Sequence, residues 1–245
     1  MRTHKPKIFI TGSSAGIGFF LAKEFSKKNY HVILNGRNKK KLISASSSIR
    51  NSDYIQGDMS KLNIIRKNIK QLEKKYKSLD VIIANIGNSN FAKNNTNIDF
   101  SIKKNLLPTV HLVDSSMSIL KKKSKIICIS SICGAEVIEG APIGYSVAKA
   151  ALNFYIKSVS RNLSKFKIII NAILPGNIMF KGSTWDKKIK KNKTDTIKYI
   201  NKNIPTQTFG TPEDIFIICE MLCNNTSGFI NGSLIKVDGG QTLSN

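Results

Sequence analysis

Disulfide and metal frameworks are the first things this sequence lacks. Its 245 residues hold four cysteines, Cys128, Cys133, Cys219 and Cys223, and no two form a Cys-x-x-Cys pair. His4, His31 and His111 do not stand at zinc-ligand spacing with them, so no metal site is expected. Reduced, buried thiols and a cytoplasmic location are the expectation. Long apolar runs are also missing: nothing approaches the roughly 20 residues that span a bilayer, so no membrane partner is expected. The opening Met1-Arg2-Thr3-His4-Lys5-Pro6 carries charge, but only Ile8-Phe9-Ile10 comes after it. That is too short for a signal-peptide core.

Acidic residues are scarce. Asp and Glu number 15 against 39 Lys and Arg, a net charge of +24. Such a field raises the question of a polyanion partner. The lysines, however, fall in short groups on separate segments (39–41, 121–123, 187–193), without interleaved arginines and aromatics. We read the excess as compositional drift towards Lys, Asn and Ile, and do not expect a nucleic-acid partner. What is present is globular in character: 41% hydrophobic and 22% charged residues suffice for a core without staples.

Short apolar runs alternate with longer polar-faced segments. Residues 7–11, 31–35, 80–84, 125–130 and 167–171 read as strands that lack period-two alternation, as strands covered on both faces do. Helix-length stretches lie around 17–28, 39–49, 61–77, 99–120 and 146–164. Thr211-Pro212-Glu213-Asp214 opens another helix with a cap, a first-position proline and early acids, and a last strand lies near 233–237. The alternation predicts βαβ crossovers and a doubly wound parallel α/β sheet. No repeat or linker divides the chain, so 1–245 reads as one domain. The irregular, lysine-rich section at about 176–204 suits a mobile cover over a site, or a solvated charged helix.

Thr11-Gly12-Ser13-Ser14-Ala15-Gly16-Ile17-Gly18 comes directly after the first strand and opens the first helix. Glycines there let backbone approach a pyrophosphate, and a helix N-terminus offers it N–H donors. Tyr145 and Lys149 stand four apart, hence on one helical face. A lysine ammonium beside a phenol favours the phenolate and would bring the tyrosine nearer to useful proton transfer. Ser131 stands at a strand end 14 residues before Tyr145.

With its Gly-x-x-x-Gly-x-Gly spacing, the chain resembles the short-chain dehydrogenase/reductase family over nearly its whole length. Further motifs carry the resemblance in order: Ala84-Asn85-Ile86-Gly87, Asn105, Ser130-Ser131-Ile132-Cys133-Gly134, Tyr145-Ser146-Val147-Ala148-Lys149, Pro175-Gly176, and Gly232 with Val237-Asp238-Gly239-Gly240. The nearest pattern is the 3-oxoacyl-carrier-protein reductase-like branch. The resemblance implies a Rossmann-type sheet of about seven strands, order 3-2-1-4-5-6-7, with helices on both faces. It also implies hydride transfer between a nicotinamide dinucleotide and a carbonyl or alcohol. Tyr145 would be the acid or base, and Ser131 the partner of the carbonyl oxygen. Lys149 would serve as aid to Tyr145 and ribose ligand, and Asn105 as holder of a relay water. Ser130 is the competitor of Ser131; the family's serine stands three before a glycine, as Ser131 does before Gly134.

Cofactor contacts implied are Gly12, Ser13, Ser14, Gly16, Ile17, Gly18, Arg37, Asp58, Met59, Asn85, Gly87, Tyr145, Lys149, Pro175, Gly176 and Ile178. The second strand ends Asn35-Gly36-Arg37-Asn38 with no carboxylate for a ribose 2′-hydroxyl, while Arg37 can pair with a 2′-phosphate. NADP(H) is therefore expected over NAD(H). Departures are Ala84 and Ile86 beside Asn85, Phe180 in place of a threonine, and Thr208 in place of an arginine; Phe180 and Trp185 are expected on the substrate side or packing the cover. The substrate expected is a 3-oxoacyl thioester, with a keto-sugar or small ketone as alternative. A non-catalytic dinucleotide sensor or nucleic-acid-binding variant is the rival from another class. Relatives pair the helices carrying Asn105 and Tyr145, which implies a homodimer or homotetramer.

Overall fold

The apolar runs become the strands of one sheet, and each run serves two faces. In the computed structural model, which describes residues 5–87 and 97–243, the strands are β1 (Lys7–Ile10), β2 (His31–Gly36), β3 (Ser52–Gln56), β4 (Leu79–Ala84), β5 (Leu120–Ile129), β6 (Ile169–Pro175) and β7 (Leu234–Val237). They lie in the order β3-β2-β1-β4-β5-β6-β7, every neighbouring pair parallel. Phe9, Ile33, Ile82, Ile126 and Cys128 point into one core layer, while Ile8, Ile10, Val32, Leu34, Val81, Ile83 and Ile127 point into the other. Because both faces are dry, the alternation is hidden in the sequence.

Helices α1 (Gly16–Lys27), α2 (Lys39–Ser47), α3 (Leu62–Tyr76), α4 (Ile98–Asn105), α5 (Leu107–Ser115), α6 (Ile143–Ser164), α7 (Thr184–Lys191), α8 (Lys193–Asn203) and α9 (Pro212–Asn224) connect them. Ile65, Ile69 and Leu72 of α3, Leu112 and Val113 of α5, and Leu152, Ile156 and Leu163 of α6 cover the first layer. Leu21 and Phe25 of α1, Leu42 of α2, and Ile215, Phe216 and Cys219 of α9 cover the second.

Four boundaries differ from the sequence reading. The single helix expected at 99–120 is two, broken at Leu106 (φ −110°, ψ −64°). Pro108 lacks the N–H that would continue the ladder and its ring crowds the Lys104 carbonyl. The break leaves Asn105 as the last residue of α4. β5 starts earlier than 125, because Leu120 pairs with Leu79 across a register irregularity. β6 runs on past Asn171, a polar residue that stays buried because its amide donates to the Ile230 carbonyl at 2.9 Å and accepts from the Ser233 N–H at 2.9 Å. Finally α6 begins at Ile143, so Tyr145 lies in its first turn. The edge strand β3 is largely polar and only partly covered, so no apolar run marks it in the sequence.

Strand order reverses between β1 and β4, and a crevice opens beyond the carboxyl ends of strands at such a switch point. The turn after β1, the end of β4 and the end of β5 all meet there.

Candidate active site

The turn after β1 is shaped to bring backbone close to a ligand. Gly12 (φ +62°) and Gly16 (φ +60°) sit in the left-handed region, and a Cβ on Gly12 would lie 2.7 Å from the Asn85 carbonyl oxygen. A Cβ on Gly18 would meet the Asn85 Nδ2 at 2.5 Å and the Gly12 carbonyl oxygen at 2.7 Å. Ala15 starts α1 without a side-chain cap, and its first turn holds no acidic residue. An uncapped, positive helix end over a glycine cradle fits a dinucleotide pyrophosphate.

Several expected cofactor contacts are occupied inside the fold. Ser13 directs its polar groups inward: its N–H donates to the Asn35 carbonyl (2.8 Å) and its buried hydroxyl to the Ile10 carbonyl (2.7 Å). Ser13 thus braces the turn against β2, leaving its neighbour Ser14 closer to the crevice. Asn85 likewise clamps the turn, donating from Nδ2 to the Thr11 and Gly12 carbonyls at 3.3 Å. The Met59 side chain is buried in the core, so only its backbone can face a ligand. Pro175 ends β6, and Gly176 is pressed so close to Asp238 that a Cβ would lie 2.8 Å from the aspartate Cβ. Ile178 is held by a parallel bridge to Gly210.

At the end of β2, Arg37 is exposed and Ser14 approaches Gly36, where a Cβ would lie 2.9 Å from the serine Oγ. A groove of about 500 Å³ opens beside Arg37, Gly57 and Asp58. Burial would raise the Asp58 carboxyl, but hydrogen bonds from the Ser60 amide and hydroxyl and the charges of Arg37 and Lys104 hold it below the ordinary range.

Beyond β5 the two adjacent serines separate. Ser130 turns inward, and its hydroxyl donates to the Asn153 Oδ1 of α6 at 2.6 Å. Ser131, also buried, caps a short 3₁₀ turn (Ile132–Gly134) by accepting from the Cys133 N–H, and stands near enough to Tyr145 to favour its phenolate. Gly134 sets the spacing: a Cβ there would lie 2.4 Å from the Lys149 carbonyl carbon. Only glycine lets the turn rest on the backbone of α6, and this contact brings Ser131 to Tyr145. Gly144 does the same for α4, since its Cβ would meet the Ser101 Oγ at 2.7 Å. Asn105 Oδ1 and Lys149 Nζ both lie 3.4 Å from where a Gly87 Cβ would be, so these two groups and Gly87 face one small space.

Lys149 is 2% exposed, and its ammonium donates to the Ile129 carbonyl at 3.0 Å, 5.7 Å from the centre of the Tyr145 ring. The expected lowering of Tyr145 by Lys149 is corrected here. Burial pushes the phenol well up, with Ser131 as the opposing influence. The ammonium addresses the ring and a carbonyl, and desolvation outweighs its charge.

Burial pushes Lys149 itself down to about 8 from an ordinary 10.5. Between those pH values the unfolded chain holds a proton that the folded chain has released, so this lysine makes stability rise with pH across that window, by about 3 kcal/mol in all. Urea unfolding of wild type and Lys149→Met between pH 7 and about 10 checks it. The wild type should gain on the variant as pH rises; parallel curves would contradict the assignment. Buried Cys223, pushed up to about 12 without any influence from Lys149, opposes the trend in both proteins and cancels in the comparison.

Segment 176–204 forms α7 and α8 beside this site. Trp185 stacks on Tyr199 (5.3 Å, 29°) and meets Phe209 at 5.6 Å, with the Lys188 ammonium 4.3 Å over its ring. Trp185 therefore packs the segment together. Phe180 takes a packing role: its ring covers Gly16, within 3.0 Å of where a Cβ would stand. The sequence reading missed Tyr199, Asn177 and Gln241. Gln241 donates to the Tyr199 hydroxyl at 3.5 Å and Asn177 to Gln241 at 2.9 Å. No spacing signal links these residues, which meet only in space.

A parallel sheet with a glycine cradle at its switch point and a Ser-Tyr-Lys cluster beside it defines a dinucleotide-type oxidoreductase. A family profile described as "Enoyl-(Acyl carrier protein) reductase" matches residues 12–242. The 3-oxoacyl-[acyl-carrier-protein] reductase FabG of Buchnera aphidicola is 29% identical over 99% of this chain and 100% of its own length. That of Rickettsia prowazekii is 30% identical over 96% of this chain and 95% of its own. Among solved structures, an NADPH-dependent reductase involved in bacilysin biosynthesis, YwfH, superposes with TM-score 0.87 at 23% identity, covering 99% of this chain and 100% of that one. L-sorbose reductase from Gluconobacter frateurii, complexed with NADPH and L-sorbose, gives 0.84 at 24% identity, covering 98% of each. The chain belongs to the short-chain dehydrogenase/reductase family, in its 3-oxoacyl-carrier-protein reductase-like branch.

Proposed function

We propose that this chain reduces a carbonyl to a secondary alcohol, that its dinucleotide is NADPH in preference to NADH, and that its substrate is a 3-oxoacyl thioester. The observation that carries the reading is the Ser131–Tyr145 pair against buried Lys149, next to the glycine cradle. Ser131 and Tyr145 place two hydroxyl donors where one carbonyl oxygen can accept from both. When bound, the dinucleotide supplies the hydride. As charge develops on the oxygen, Ser131 stabilises it and Tyr145 delivers its phenolic proton. A phenol that burial keeps protonated is in the correct form for this direction, and an alkoxide is basic enough to take its proton. Lys149 and Asn105, converging at Gly87, are the proposed route by which the proton is replaced. In the reverse oxidation Tyr145 is the base.

The relatives named for 3-oxoacyl-carrier-protein reduction support the thioester. A polar ketone, such as a keto-sugar, is the second reading, favoured by the Tyr199–Gln241–Asn177 hydrogen-bond cluster. NADPH oxidation measured against acyl thioesters, keto-sugars and simple ketones separates the two. Silence across the whole panel would overturn carbonyl reduction.

An exposed Arg37 at the end of β2, with Ser14 against neighbouring Gly36 and no carboxylate at the strand's tip, supports NADPH. Arg37→Asp should shift the NADPH/NADH preference by about 10- to 100-fold towards NADH, the value of a charged hydrogen-bond pair. An unchanged ratio of kcat/KM values would refute the 2′-phosphate role. We further propose that residues 176–204 are the substrate cover of a one-domain chain, and that two copies pair through α4 and α6. The outer face of α6 leaves Phe154 74% and Ile143 58% exposed, more apolar surface than a lone helix face keeps wet. A monomer mass by light scattering would exclude the pairing.

A further inference from the structure

Phe180 stands where the cradle meets the cover. Its ring lies on the glycine turn, with Cε2 and Cζ at 3.0 and 3.3 Å from the position of a Gly16 Cβ. Gly16 opens α1, the helix end that suits a pyrophosphate, so a dinucleotide laid across the turn meets this ring. The backbone of Phe180 belongs to the cover. Its carbonyl accepts from the Ser183 N–H at 2.9 Å, its N–H donates to the Ser183 hydroxyl at 3.4 Å, and that hydroxyl caps α7 by accepting from the Asp186 N–H at 3.0 Å. One turn therefore joins the aromatic ring on the cradle to the first residue of α7. On α7, Trp185 stacks against Tyr199 of α8, and Tyr199 reaches the Gln241 amide and the Glu139 carbonyl, both at 3.5 Å.

From these contacts we infer that Phe180 is a positioning residue that couples seating of the dinucleotide to the placement of the cover over the carbonyl site. This rests on the dinucleotide reading above. A threonine at this position would offer a hydroxyl to the ligand. The phenyl ring offers area instead, and any movement of the ring is passed through the Ser183 cap to α7. The ring faces the glycine turn, and the Ser183 cap ties its backbone to α7.

Trp185 is the only tryptophan in the chain, so its emission reports on α7 directly. The test titrates NADP⁺ into the full chain and into Phe180→Ala and Phe180→Leu, following Trp185 emission and, in parallel, the heat of binding. In the wild type, emission should change along the same saturation curve as the heat. Phe180→Ala should still bind, with Kd weakened by about tenfold. Its emission change at saturation should be lost or cut by about fivefold or more, because the ring no longer links cradle to cap. Phe180→Leu, which restores bulk, should recover part of the change. A full emission change in saturated Phe180→Ala would overturn the coupling while leaving the dinucleotide reading intact. No heat from the wild type with either NADP⁺ or NAD⁺ would overturn that reading and the coupling with it.

Discussion

Tyr145→Phe should lower turnover by about 10²- to 10⁴-fold, the usual worth of a placed acid or base, while dinucleotide affinity stays within about twofold. The substitution removes one oxygen and keeps the ring that stacks under Lys149. The loss is expected to be this large because no neighbouring group can take over. Ser131 is a far weaker acid than a phenol, and Lys149 donates to the Ile129 carbonyl, 5.7 Å from the ring centre. Ser131→Ala should cost less, since it removes one of two donors to the same oxygen and leaves the proton source in place. The measurement is single-turnover reduction at saturating NADPH, with dinucleotide binding followed separately. Turnover within tenfold of wild type in Tyr145→Phe would remove this residue from the chemistry.

The second large effect is expected from a residue that touches no substrate. Gly134→Ala places a methyl group 2.4 Å from the Lys149 carbonyl carbon and 2.6 Å from both the Lys149 carbonyl oxygen and the Ala150 nitrogen. These are backbone atoms of a 22-residue helix, so no side chain can swing aside. Relief requires the turn after β5 to lift off α6. Overpacking of this kind costs about 1–3 kcal/mol, and more against rigid backbone; at about 2–4 °C per kcal/mol for a chain of this size, Tm should fall by roughly 5 °C or more. Turnover should fall too, by about tenfold or more, because lifting the turn separates Ser131 from Tyr145. Gly140→Ala is the control: its φ of +74° puts backbone strain on any side chain, but nothing lies within 4 Å of the new methyl. Gly134 itself lies outside the left-handed region, so losses in Gly134→Ala no larger than in Gly140→Ala would refute the approach to α6 as their cause.

Much of the site was legible because its residues are spaced by local geometry. Tyr145 and Lys149 share a helical face wherever that helix lies, and a glycine turn between a strand and a helix presents N–H groups in any such unit. The choice of Ser131 over Ser130 was made by its distance from a glycine. The structure supplies a reason, since Gly134 rests on α6 and Ser130 turns to Asn153. Reading failed where a residue's environment depends on distant parts of the chain. Ser13 and Asn85 carry polar groups in a ligand-binding motif, yet they direct them to Ile10, Asn35, Thr11 and Gly12. Phe180 was left between the substrate side and a packing role, and the path of residues 176–183 lays it on Gly16. The effect of Lys149 on Tyr145 was expected from charge alone, whereas desolvation depends on everything packed around the phenol.

The sequence by itself determined the alternation of strands and helices, the glycine turn and the one-turn spacing of Tyr145 and Lys149. Those features arise from backbone sterics and from the periods of helix and strand, which act over a few residues. Only the tertiary structure decided where α4 ends, what α7 and α8 touch and which way burial moves the phenol and the ammonium. Each of these is set by packing and loss of water among groups that lie tens of residues apart, as Asn105, Ser131 and Lys149 do.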